Sequence, residues 1–97
     1  MGIEDEIKTA EAKVIVQFLA AGERFGKKFT PYFIANALEA EHIKLYSRKI
    51  EKILSMLTIR FPAIFSFERL SNASYFWVQT DRAQFDAWFV DWFEQRE

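Results

Sequence analysis

The stretch that decides the fold is Thr30 to Thr80, TPYFIANALEAEHIKLYSRKIEKILSMLTIRFPAIFSFERLSNASYFWVQT. Thr30-Pro31 is a strong helix start, with threonine as N-cap and proline at the first helical position. Phe33, Ile34, Ala37 and Leu38 then fall on one face of a helix ending near Ala40. The residues from Glu41 to Tyr46 make a turn without glycine. Ser47 is placed to cap a second helix, from Arg48 to about Ile59. Ile50, Ile53, Leu54 and Leu57 give it an i, i+3, i+4, i+7 seam, opposite Arg48, Lys49, Lys52, Ser55 and Met56. Pro62 stops this helix, because the residue before proline avoids helical dihedrals. Ala63 to Arg69 and Tyr75 to Thr80 read as aromatic strands, Phe65 and Phe67 alternating with Ser66 and Glu68, then Phe76 and Val78 with Trp77 and Gln79. Leu70 to Ser74 is the connecting turn, with Asn72 suited to a left-handed position.

On the N-terminal side, Ile7, Ala10, Val14, Phe18 and Ala21 recur at helical spacing and predict a helix from about Ile3 to Ala21. Gly22 is placed to end it in a left-handed cap. Lys27-Lys28-Phe29 can add a short strand beside the later hairpin. On the C-terminal side, Asp81 and Gln84 form a capping box for a last helix. Phe85, Trp88, Phe89, Trp92 and Phe93 repeat along one stripe of that helix. The fold class that follows is mainly α with a small β-hairpin, an α+β domain spanning 1–97. Its parts are an N-terminal helix in 1–22, a helical pair in 30–60, the hairpin in 63–80 and the aromatic helix in 81–97.

Ninety-seven residues suffice for one core, burying about 60–65% of the unfolded surface. An aromatic content of 18% is high for so short a chain, so either the core is densely filled or an apolar surface is shared with a second subunit. The absence of cysteine excludes disulfides, and a single histidine makes no metal site. His42 reads as a surface turn residue, Asn72-Ala-Ser74 as a turn rather than a glycosylation site, and no catalytic set or phosphate-binding glycine loop is present. The chain therefore reads as no enzyme, with no cofactor. No apolar run reaches the ~20 residues of a membrane span, and the acidic first residues do not resemble a signal peptide, so a cytoplasmic location away from membranes is expected.

The net charge of −1 conceals a strong asymmetry. Residues 1–22 and 61–97 are acidic, whereas 23–60 carry Arg24, Lys27, Lys28, Lys44, Arg48, Lys49, Lys52 and Arg60 against Glu23, Glu39, Glu41 and Glu51. A local positive field steers polyanions whatever the net charge.

The segment TPYFIANALE, followed by SRKIEKILSML over 47–57, resembles the helix-turn-helix of winged-helix transcription regulators. The resemblance covers about half the chain and implies a winged helix-turn-helix with extra N- and C-terminal helices. It implies that double-stranded DNA is the partner, read in a sequence-specific way by the N-terminal half of the second helix of the pair. Carried over by position, Ser47, Arg48, Lys49 and Lys52 face bases and phosphates: an arginine offers a bidentate fork to guanine and a lysine neutralises phosphate. Lys44, Lys27, Lys28, and Arg69 and Asn72 of the hairpin complete the expected contact set. The aromatic stripe Phe85, Trp88, Phe89, Trp92 and Phe93 is the expected interface of a homodimer, as in several members of that family. Near-neutral net charge keeps a second class open, a winged helix used as a protein-interaction or assembly module. Aromatic strands also suit a stacking platform for single-stranded nucleic acid through Phe65, Phe67, Tyr75, Phe76 and Trp77, but their alternation makes core packing the simpler account.

Overall fold

The first helix begins where a side chain can cap it. In a computed structural model, which describes residues 7–94, Thr9 accepts a hydrogen bond from the Ala12 amide at 3.1 Å, and α1 runs Ala10–Ala20. The expected start at Ile3 is corrected for residues 7–9, which form a bend; Ile3 to Glu6 lie outside the described residues. The buried face also turns. Ala12, Ile15, Val16, Phe18 and Leu19 point inward, while Ala10 and Ala21 are exposed. With Ile7 off the helix, the three bulky residues Ile15, Val16 and Leu19 set the phase. Gly22 adopts the left-handed region, φ 54°, as expected. The carbonyls left open at the end of α1 are taken by two arginines, Arg24 Nε to Phe18 O at 2.7 Å and Arg82 Nη1 to Ala20 O at 2.6 Å.

Of the expected Lys27–Phe29 strand only Phe29 joins the sheet, in a bridge to Phe76 with both backbone bonds made, 3.0 and 2.9 Å. Thr30 caps α2, Pro31–Glu39, by accepting from the Phe33 amide at 3.1 Å. Pro31, Ile34 and Leu38 are buried. Phe33, expected inside, is 53% exposed and stacks on Phe29, ring centroids 5.4 Å apart.

The turn after α2 needs no glycine because His42 takes the left-handed position, φ 67°. The His42 amide bonds Glu39 O and the Ile43 amide bonds Leu38 O, both at 2.9 Å. This is the Schellman pattern, and it brings Ile43 back toward Leu38. α3, Ser47–Arg60, is capped by the extended residue Tyr46 without a side-chain bond. Ser47 is thus the first helical residue and not the cap, because the backbone turns helical one residue earlier than expected. Ile50, Ile53, Leu54 and Leu57 are fully buried, as the seam predicts.

β1, Phe65–Leu70, pairs antiparallel with β2, Ala73–Val78. Leu70 opposite Ala73 leaves a two-residue turn, in which Ser71 and not Asn72 has positive φ, 54°. Both strands are offset from the expected limits by this tighter register. Phe65, Phe76 and Val78 face the core; Phe67 lies beyond its edge and stacks on Phe76 at 5.5 Å.

Asp81 caps α4, Arg82–Phe89, by accepting from the Gln84 amide at 2.8 Å. The Gln84 side chain accepts from Thr80 Oγ1 at 2.7 Å, so the reciprocal arm of a capping box is replaced by that contact. A π-helical turn, Val90–Glu94, then widens the helix. It seats Trp92, whose Nε1 donates to Ile7 O at 2.6 Å. Trp88 packs edge-on against Phe61 and Phe65, each at 5.1 Å, and its Nε1 is buried with no hydrogen-bond partner among the described residues. Among the described residues the architecture is mixed α+β, four α-helices and one antiparallel hairpin around a single core.

Candidate nucleic-acid interface

A helix whose buried seam is continuous must present its opposite face to solvent. On α3 that face holds Arg48, Lys49 and Lys52, all exposed, which together with Tyr46 line a shallow groove of about 380 Å³. The positive end of the α3 dipole lies beside it. Lys49 also reaches back to α1, its Nζ 2.8 Å from Glu11 Oε1, so part of its charge is already matched.

A second groove of about 240 Å³ joins three elements, with Thr30 and Tyr32 from the start of α2, Ser47 and Glu51 from α3, and Arg69 and Asn72 from the hairpin. The Arg69 guanidinium donates to Ser74 Oγ at 3.2 Å, which fixes it across the hairpin. Lys44 lies in a third groove between the two helices, bordered by Tyr32, Asn36, Tyr46 and Ser47. Ser47 and Tyr32 are shared by the second and third grooves, and Tyr46 by the third and first, so neighbouring grooves have side chains in common.

Seven of the nine residues expected from the sequence line one or another of these three grooves: Ser47, Arg48, Lys49, Lys52, Lys44, Arg69 and Asn72. Lys27 and Lys28 line none of these grooves. Lys28 instead bonds Glu68 at 2.9 Å and sits 4.7 Å over the Trp77 ring, on the outward face of the hairpin. Sequence reasoning missed Tyr32, Asn36 and Tyr46. Their signal was available: Tyr32 and Asn36 are four apart, off the Ile34/Leu38 face, and Tyr46 directly precedes the basic helix.

The expected dimer stripe is largely spent inside the protomer. Phe85 and Trp92 are buried, and Trp88, Phe89 and Phe93 are half-buried against the core. Phe85 meets Phe25 at 5.7 Å and Trp92 meets Phe61 at 4.8 Å. Among the described residues no group of His, Asp or Glu could hold a metal ion, and no helix is long and apolar enough to cross a membrane. No family model matches the chain, and neither the curated proteins nor the solved structures hold a significant match.

Proposed function

We propose that the chain is a winged helix-turn-helix domain that binds double-stranded DNA in a sequence-specific way through α3, as a small transcription regulator does. The observation that carries this reading is the shared groove of Tyr46, Arg48, Lys49 and Lys52, directly opposite the buried Ile50/Ile53/Leu54/Leu57 seam. Supporting it, Arg69 and Asn72 at the hairpin turn border the start of α3, where a wing would flank a recognition helix. The bridge from Phe29 to Phe76 adds the third backbone segment that such domains place beside their hairpin.

The reading also allows a reduced form of the homodimer. With Phe85 and Trp92 inside the protomer, an interface would use Val90, 52% exposed, and the outer edges of Phe89 and Phe93.

Selection from a random duplex pool, followed by anisotropy titrations at several salt concentrations, tests the proposal. Each neutralised phosphate contributes about −0.9 to the slope of log K against log salt, so Arg48, Lys52, Lys44 and Arg69 together give about −3.6. Alanine at Arg48, Lys49 and Lys52 together should weaken binding at least tenfold and flatten that slope by about 2. Unchanged duplex affinity in the triple variant refutes the proposal. Salt-insensitive association with a protein, without duplex binding, would assign the domain to assembly instead.

A further inference from the structure

We infer that the groove between α2 and the N-terminus of α3 receives one unstacked nucleobase of a nucleic-acid strand, held against the rings of Tyr46 and Tyr32. These are among the most exposed large side chains of the protein, at 72% and 69%. They line the same groove, of about 200 Å³, with Asn36, Glu39, Lys44 and Leu45. A soluble chain with a full aromatic core has no packing use for two further rings on one wet groove. Planar rings beside a cation are what a base and its phosphate require: base–aromatic stacking tolerates any base, and the ammonium of Lys44 suits the backbone.

Two further features support the groove as a base site. Tyr46 also borders the groove of Arg48, Lys49 and Lys52, so a strand whose phosphates follow those cations delivers a base to its ring. Asn36 offers both a donor and an acceptor, and the Glu39 carboxylate accepts. Every unpaired base presents at least one N–H on its Watson–Crick edge, thymine through N3–H, so the groove meets any base and stacking sets the affinity. The site shares Tyr46 with the α3 groove, but an intact duplex keeps its bases stacked, so a base enters only from a single strand and the inference can stand or fall without the duplex reading.

The test uses the full chain and fluorescein-labelled 12-mers of dC, dA and dT, together with a mixed-sequence duplex, read by anisotropy. All three strands should bind, because stacking on an aromatic ring tolerates any base. Tyr46→Ala should weaken them by about 5- to 150-fold, the range of one lost stacking partner. Tyr46→Phe should retain the affinity, because stacking needs the ring and not the hydroxyl. Thermal melts confirm that the variants are folded. The inference is overturned by single-strand affinity that Tyr46→Ala leaves unchanged, by a loss that Tyr46→Phe shares in full, or by no single-strand binding at all. Strand binding that follows the expected pattern while the duplex fails to bind would reject the duplex reading and keep this one.

Discussion

Trp92 and Trp88 lie one helical turn apart in the same aromatic cluster, yet replacing each by phenylalanine should have different consequences. Trp92 Nε1 donates to Ile7 O at 2.6 Å in a buried setting. Trp92→Phe removes the donor and leaves that carbonyl unsatisfied, which costs about 1–3 kcal/mol. Trp88 Nε1 is buried without a partner among the described residues, so Trp88→Phe removes a desolvated N–H and recovers a penalty of similar size. Both changes shrink an indole to a phenyl in the neighbourhood of Phe61, so the loss of packing is comparable and largely cancels in the difference. The two variants should then differ by about 2–6 kcal/mol, Trp92→Phe being the weaker. In a domain of this size each kcal/mol moves the melting temperature by about 4–8 °C, so the gap should be roughly 10 °C or more. Circular-dichroism melts of the two single variants and the double variant measure it. Equal losses, or a larger loss for Trp88→Phe, would refute the argument from hydrogen-bond satisfaction.

His42→Gly should stabilise the protein by roughly 0.5–1 kcal/mol, because the left-handed backbone at φ 67° strains any L-residue by about 1–2 kcal/mol and glycine returns part of that gain through unfolded-state entropy; a lower midpoint in urea would show that the imidazole itself holds the turn. Thr30→Ala should destabilise by ~1 kcal/mol through loss of the bond from the Phe33 amide, and an unchanged melt would mean the cap is replaced by solvent. Sedimentation velocity at micromolar concentration should show a dimer that Val90→Asp converts to folded monomers, whose melting temperature no longer rises with protein concentration; a monomeric unmodified chain would leave the aromatic stripe to the protomer alone.

Much of the fold was legible because its signals act within four residues. Thr30 and Asp81 fix helix starts by accepting from amides three positions on, Pro31 suits the first helical position by its fixed φ, and the seam of α3 needs only helical periodicity. What was not legible depends on partners far along the chain. The phase of α1 follows from Thr9 winning the cap and from where Ile7 is buried, which hydrophobic spacing alone misassigned. The π-helical turn at Val90–Glu94 breaks the ideal spacing that made Phe85 to Phe93 look like one outward stripe, and Trp92 finds its acceptor 85 residues away. His42 takes a glycine's place because two backbone bonds and the return of Ile43 toward Leu38 hold it there, and histidine's mild preference for the left-handed region is too weak to announce that in the sequence.

The site divides along the same line. Position relative to a seam tells which side chains of α3 are outside, so Arg48, Lys49 and Lys52 could be named from the sequence. Which charges then act together is a tertiary question. Lys28 is drawn to Glu68 and Trp77 on the outer face of the hairpin, and Lys49 is shared with Glu11, whereas Arg69 is steadied by Ser74 in the groove that the hairpin forms with the starts of α2 and α3. The tyrosines were overlooked for a related reason: in a chain rich in aromatics, any ring at helical spacing is credited to the core. Tyr46 is wet because it ends the extended segment before α3 rather than lying on the apolar face of the helix. Aromatic content therefore predicts a filled core here, while the position of each ring relative to its helix decides whether it packs or faces solvent.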